Sequence, residues 1–202
     1  MSGFLLDLNR CVGCGACVLA CRIENDLPEG VGWRRILTLN QRRAGAGPTY
    51  HFSLACHHCE DPPCAKRCPS GALEKRADGI VLLDEDLCLG CRYCEMACPF
   101  GAPSFDAERG VMTKCHLCAP RQDRGLLPAC TQACPTGALR FAPDVAVPPP
   151  DPFDPPVRIP GFRDVTNAGP NLWLAPPGGG MRASAFQRLK ALVGRSEEGN
   201  HG

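Results

Sequence analysis

Asp84-Glu85-Asp86-Leu87-Cys88-Leu89-Gly90-Cys91-Arg92-Tyr93-Cys94-Glu95-Met96-Ala97-Cys98-Pro99 is the stretch on which the reading of this 202-residue chain turns. Its cysteines follow the spacing C-x2-C-x2-C-x3-C, with proline directly after the last. The same spacing occurs 77 residues earlier at Cys11, Cys14, Cys17 and Cys21, inside Asp7-Leu8-Asn9-Arg10-Cys11-Val12-Gly13-Cys14. Two further groups complete the set: Cys56, Cys59, Cys64 and Cys68, and Cys115, Cys118, Cys130 and Cys134. All 16 cysteines fall into these four groups of four.

A cube of four irons and four sulfides explains such spacing. Three thiolates from one tight loop cover one side of the cube, and two-residue gaps let backbone N–H groups reach its sulfurs. The fourth cysteine of the run points away and serves the other cluster of a pair, as in two-cluster bacterial ferredoxins. Proline after that cysteine stops a helix and turns the chain. It does so at Cys68-Pro69, Cys98-Pro99 and Cys134-Pro135, each the start of a Cys-Pro-x-Gly-Ala repeat. Gly71, Gly101 and Gly137 are therefore expected to turn the chain back into a strand. Duplication of a small ferredoxin unit accounts for both repeats. Sixteen ligands for 16 iron corners predict four complete 4Fe-4S clusters and no open iron.

Composition agrees. Gly (22) and Pro (21) make up about a fifth of the chain, and only 8 Phe, 2 Tyr and 2 Trp are available as large core pieces. Ordering so loop-rich a chain costs roughly 1–2 kcal/mol per residue, so a metal framework must supplement burial. The formal charge of +1 treats every cysteine as a neutral thiol. Four oxidised clusters with their thiolates add about −8, so the apo value points to no nucleic-acid partner. No run is long and apolar enough to span a bilayer. Met1 to Asp7 runs into the first cysteine group without a charged, apolar or twin-arginine leader, so no export signal is expected.

Two other frameworks compete. Eight disulfides suit a secreted scaffold, but cysteines two residues apart in tight loops are poor disulfide partners. Four zinc sites would make the chain a zinc-stabilised interaction module, yet zinc favours paired C-x2-C knuckles over three cysteines within seven residues.

With the four groups in this order, the chain resembles the four-cluster electron-transfer (beta) subunit of the dimethyl sulfoxide reductase and polysulfide reductase family of molybdopterin oxidoreductases. The stretches that carry the likeness are Cys56-His57-His58-Cys59-Glu60-Asp61-Pro62-Pro63-Cys64, Asp84 to Phe105, and Met112-Thr113-Lys114-Cys115. The resemblance implies an α+β fold of two ferredoxin-like dicluster modules. It also implies four ligand sets: Cys11, Cys14, Cys17 with Cys134; Cys115, Cys118, Cys130 with Cys21; Cys56, Cys59, Cys64 with Cys98; and Cys88, Cys91, Cys94 with Cys68. One departure is that Cys21 is followed by Arg22 rather than Pro.

The resemblance further implies a subunit without catalysis of its own. It relays electrons between a molybdenum or tungsten bis-pterin catalytic subunit and a membrane anchor that exchanges electrons with quinone. A formate dehydrogenase or hydrogenase subunit is the alternative within electron transfer. The complex would sit against the bacterial cytoplasmic membrane. Its periplasmic face, reached by co-export with a signal-bearing partner, is preferred, and the cytoplasmic face is the alternative.

The expected organisation is an outer module of residues 1–21 with 111–142, an inserted segment 22–55, an inner module 56–110, and an arm 143–202 for partner contact. Ile36 to Leu39 and Tyr50 to Leu54 read as short strands flanking the Arg- and Gly-rich turn Arg42 to Gly47. Gly79 to Asp84 reads as a buried strand, Val18 to Ala20 and Glu95 to Ala97 as helical turns, and Leu139 to Phe141 as the last ferredoxin strand. Residues 143–180 hold 11 of the 21 prolines, a composition that favours extended backbone. Phe153, Ile159, Phe162, Val165, Leu172, Trp173 and Leu174 are expected to find burial on a partner. Phe186, Leu189, Leu192 and Val193 share one face of a predicted short helix. His57, His58 and His116, inside the ligand loops, are expected beside clusters or facing solvent. Arg92, Tyr93 and Lys114 read as loop packing or potential tuning, and Trp33 and Trp173 as packing.

Overall fold

The computed structural model describes residues 2–39, 49–143 and 166–175. In chain order its elements are β1 (Gly3–Asp7), α1 (Ala16–Glu24), β2 (Arg34–Leu39), β3 (Tyr50–Ala55), α2 (Pro63–Lys66), β4 (Leu73–Lys75), β5 (Val81–Leu83), α3 (Tyr93–Ala97), β6 (Ser104–Asp106), β7 (Val111–Thr113), α4 (Ala119–Gln122), α5 (Ala129–Gln132), β8 (Leu139–Ala142) and β9 (Leu172–Ala175). The Arg- and Gly-rich turn, most of the proline-rich arm and the expected C-terminal helix lie outside the described residues.

Short helices follow from the ligand runs. Each helix carries or directly follows a cysteine of its group, and proline after the last cysteine halts α2, α3 and α5 within five residues of their start. Where Arg22 replaces that proline, α1 continues past Cys21 to Glu24. The Arg22 guanidinium then donates to the carbonyls of Val31, Leu27 and Pro28 and holds the loop that follows.

The three Cys-Pro-x-Gly-Ala turns behave alike. Gly71, Gly101 and Gly137 have φ of 70°, 54° and 62°, the region a side chain resists. Their N–H groups donate to the carbonyls of Cys68, Cys98 and Cys134. Each turn then buries its alanine and feeds β4, β6 or β8.

Three two-stranded antiparallel ladders form: β2 with β3, β4 with β5, and β6 with β7. The fourth sheet has the order β8-β1-β9. There β1 lies antiparallel to β8, Phe4 opposite Phe141, and parallel to β9, Phe4 opposite Leu172. This sheet corrects the expectation for the arm. Leu172 is 1% exposed and Leu174 5%, and both sit in the core with Phe4, Leu6, Phe52, Leu54 and Phe100. Trp173, on the opposite face of the strand, is only half-buried. The hydrophobic need was real, but β1 offered an unpaired edge inside the chain itself. The strand expected at Gly79 to Asp84 is also shorter than predicted, Val81–Leu83, because Gly79 closes a turn onto Arg76.

Cysteines are part of both cores. Cys17, Cys21, Cys56, Cys59, Cys115 and Cys130 pack with the large apolar side chains of the first core, whereas Cys64 and Cys94 pack with Leu73, Val81 and Met112 in the second.

Candidate metal centres

Each cysteine group begins with a loop that turns inward at the residue two after its first cysteine. That residue is left-handed in all four loops: Gly13 (φ 71°), His58 (φ 45°), Gly90 (φ 65°) and Leu117 (φ 56°). Glycine suits two of these positions for different neighbours. A methyl group on Gly13 would meet the His51 ring at 2.7 Å, and one on Gly90 would meet the Gly110 carbonyl oxygen at 2.2 Å. His58 and Leu117 bear the strain of roughly 1–2 kcal/mol because both are completely buried. The His58 Nδ1 also accepts the Val81 N–H at 3.0 Å.

The inward turn directs donors at sulfur. Backbone N–H groups reach Cys88 Sγ from Met112 (3.3 Å) and Gly90 (3.5 Å), Cys98 Sγ from Ala102 (3.4 Å), Cys115 Sγ from Leu117 (3.3 Å) and Cys134 Sγ from Leu139 (3.4 Å). Side chains add to this, with Ser53 Oγ 3.3 Å from Cys17 Sγ and Asn25 Nδ2 3.8 Å from Cys21 Sγ. Such donors favour the thiolate, which is the form that binds iron.

The groups interleave across the fold. Burial raises the Cys11 thiol, and the charges of Cys17, Cys134 and Cys14 add to it against the Gly13 N–H. Burial pushes Cys21 up to about 12, opposed by Arg34 and reinforced by Cys130, Cys118 and Cys17. Burial likewise raises Cys59, with Cys56, Cys98 and Cys64 adding. Cys94 is pushed up to about 11 by burial, opposed by the Glu95 N–H and reinforced by Cys88, Cys68 and Cys91. Each of these four neighbourhoods joins cysteines of one run with the last cysteine of another. Cys68 and Cys134 move the other way. Burial works against their thiolates, but hydrogen bonds from Ser70 and Leu73, and from Leu139 and Thr136, outweigh it.

One neighbourhood lines a small, partly open cavity. Cys21, Cys115, Cys118 and Cys130 line it together with Phe4, Trp33, Arg34 and Leu117. A tetrahedral zinc at about 2.3 Å from each sulfur holds those sulfurs about 3.8 Å apart. Among the described residues no three Cys, His, Asp or Glu side chains converge on one ion. Cysteines brought together from two runs, with backbone N–H donors directed at several of the sulfurs, fit an iron–sulfur cube.

The histidines hold no place in these sets. His57 and His58 are buried rather than solvent-facing, and His57 packs edge-on to Phe100 at 4.6 Å between ring centroids. His116 stands edge-on to Trp33, whose Nε1 donates to Thr113 Oγ1 at 3.1 Å. Lys114 is buried, and its Nζ donates to the carbonyls of Val81 and Cys115. Arg92 pairs with Glu95 and lies over the Phe105 ring. Sequence reasoning missed Arg34 and Ser53, side by side between the first and fourth cysteine groups. The alternation of β2 gave no local sign that a charged residue faced inward.

Two matches to a 4Fe-4S dicluster domain cover residues 10–72 and 48–143. The chain is 48% identical over 149 residues to a polypeptide of the anaerobic dimethyl sulfoxide reductase of Escherichia coli, covering 70% of this chain and 73% of that one. It is 42% identical over 141 residues to the thiosulfate reductase electron transfer subunit PhsB of Salmonella typhi, covering 68% and 73%. A sulfite dehydrogenase subunit of Allochromatium vinosum is 41% identical over 159 residues, covering 68% of this chain and 66% of its own.

Proposed function

Because the chain belongs to the iron–sulfur subunit family of molybdopterin oxidoreductases, we propose that its cysteines hold four 4Fe-4S clusters in one continuous series between two protein partners. It is an electron-transfer subunit, and catalysis in such a complex lies in another subunit. A 4Fe-4S cluster supplies one-electron chemistry at a potential set by the surrounding charge, hydrogen bonds and solvent exposure.

The ligand sets we propose are Cys11, Cys14, Cys17 and Cys134; Cys21, Cys115, Cys118 and Cys130; Cys56, Cys59, Cys64 and Cys98; and Cys68, Cys88, Cys91 and Cys94. The observation that carries the series is the closeness of successive sets. Cys17 of the first set acts on Cys21 of the second, and Cys56 of the third acts on Cys115 of the second. Cys64 of the third shares a core with Cys68, Cys88 and Cys94 of the fourth. Only the two end sets hold fully exposed cysteines, Cys14 and Cys91, while the middle sets are buried except for the half-buried Cys98.

Each end carries exposed apolar side chains suited to a protein partner. Val12, Leu19 and Ile23 flank the Cys14 loop, and Leu87, Leu89, Tyr93 and Met96 flank the Cys91 loop. One partner is the molybdenum or tungsten bis-pterin catalytic subunit, and the other an integral-membrane subunit that exchanges electrons with quinone. No helix among the described residues is long and apolar enough to cross a membrane, and attachment is assigned to the complex. The preferred location is the periplasmic face of the cytoplasmic membrane, after co-export with a signal-bearing partner; the cytoplasmic face is the alternative. Residues 22–55 act as an inserted brace, since Arg35 donates to the carbonyls of Gly101 (3.0 Å) and Phe100 (2.7 Å) in the inner module. A formate dehydrogenase or hydrogenase setting is less favoured, because the named relatives serve complexes that act on sulfur compounds.

Anaerobically purified full-length chain should contain about 16 iron and 16 sulfide and take up about four electrons in a reductive titration. Fully reconstituted material with half that iron would rule out four clusters.

A further inference from the structure

Arg34 is 3% exposed, yet it carries a charge into the neighbourhood of Cys21, Cys115, Cys118 and Cys130. Its Cζ lies 4.7 Å from the centre of the Phe4 ring, and Nη1 donates to Ser53 Oγ at 2.9 Å. Having accepted that bond, the Ser53 hydroxyl is free to donate to Cys17 Sγ, 3.3 Å away. The other guanidinium nitrogen, Nη2, is buried and has no hydrogen-bond partner among the described residues. Arg34 also lines the cavity shared by Cys21, Cys115, Cys118 and Cys130.

A buried guanidinium with an idle donor is costly unless a negative acceptor stands beside it. Burial works against the charge of Arg34, and Cys130, Cys115, Cys17 and Cys21 favour it when they are thiolates. Those four cysteines belong to two neighbouring sets. As thiolates of a bound cluster they would stand as the counter-charge of Arg34.

We propose that Arg34 tunes the potentials of the first two cluster sites: Nη2 faces the group held by Cys21, Cys115, Cys118 and Cys130, and Nη1 acts through Ser53 on Cys17 of the adjoining set. A fixed positive charge stabilises the more negative, reduced form of a cluster and raises its potential. Arg34 therefore makes the buried site easier to reduce than its thiolates alone would allow. The inference rests on the cluster assignment above and is tested separately from it.

The test is a redox titration of full-length chain followed by electron paramagnetic resonance, with signals assigned through ligand variants and iron and sulfide measured on every sample. Arg34→Gln should lower the potential of the cluster held by the Cys21 set. At a fixed potential its reduced-to-oxidised ratio should fall at least tenfold, which is about 59 mV for one electron. Arg34→Lys, which keeps the charge, should shift it by less than half as much. If Arg34→Gln does not retain iron, Arg34→Lys and Ser53→Ala carry the test, and the latter should lower the potential of the cluster held by Cys17. Fully loaded variants with unchanged potentials overturn the proposal, as does a shift confined to the clusters of the Cys56 and Cys91 sets. Wild-type chain short of 16 iron would overturn the cluster assignment instead.

Discussion

Asn171 Nδ2 donates to the His58 carbonyl at 2.6 Å, and through it the residues before β9 are tied to the second cysteine loop. The same short segment accepts from Glu60 through Gly169 (2.7 Å) and from Asp61 through Ala168 (3.1 Å), while the Asn171 N–H donates to His57 (3.0 Å). The Phe4 N–H donates in turn to the Asn171 carbonyl at 3.0 Å. One residue thereby links β1 to the loop that presents Cys56 and Cys59.

Asn171→Ala should destabilise the chain by about 1–3 kcal/mol, the usual cost of breaking a buried hydrogen bond. The first cluster to lose iron on mild denaturation should be the one held by Cys56, Cys59, Cys64 and Cys98. Ending the chain after Ala142 should do more, since it strips β9 from β1 and exposes Phe4 and Leu6. Iron release followed against denaturant concentration distinguishes these outcomes from a tail that serves only assembly.

Cys21→Ser should perturb the cluster held by Cys115, Cys118 and Cys130 and spare the one held by Cys11, Cys14 and Cys17. The reason is spatial: Cys21 lines the same cavity as the three distant cysteines. Resolved paramagnetic signals read the result, and a change confined to the Cys11 set would refute the exchange of fourth ligands.

Two glycines of similar conformation should respond differently to alanine. Gly15, at φ 77°, has open space where a methyl group would go. Gly15→Ala should therefore cost only the left-handed penalty of about 1–2 kcal/mol. A methyl group on Gly90 would meet the Gly110 backbone oxygen at 2.2 Å, and that oxygen cannot swing aside like a side chain. Gly90→Ala should displace the Cys88 loop and cost the chain one cluster, seen as a loss of about four irons per chain.

Acid should attack the chain partly through His57. Burial, with Arg34 adding, lowers this histidine from 6.5 to about 3, and neither ring nitrogen has a partner among the described residues. A folded-state value below the unfolded one contributes stability that is complete above pH 6.5 and is lost as pH falls toward 3. His57→Phe keeps the edge-on packing against Phe100 and removes the titration. It should flatten the acid limb of stability across that window, followed by denaturant unfolding at each pH.

Much of the fold was legible because each cysteine group is local in sequence. Cys88, Cys91 and Cys94 must lie on one loop, and Cys-Pro-x-Gly-Ala must turn, whatever surrounds them. The α3 and β8 elements lie where they were expected, α1 extends beyond the helical turn expected at Val18 to Ala20, and β2 and β3 lie where short strands were expected.

Sequence alone therefore determined the count of 16 cysteines and their division into four groups. Only tertiary structure decided two of the meetings across the fold: Arg34 with the sulfurs of Cys17, Cys21, Cys115 and Cys130, and Leu172 with Phe4. The physical reason is that spacing constrains neighbours along the chain, whereas charge compensation and strand-edge pairing are satisfied by whichever partner the packing brings close. The apolar residues Leu172 and Leu174 specified that a surface was needed, and the free edge of β1 decided which one.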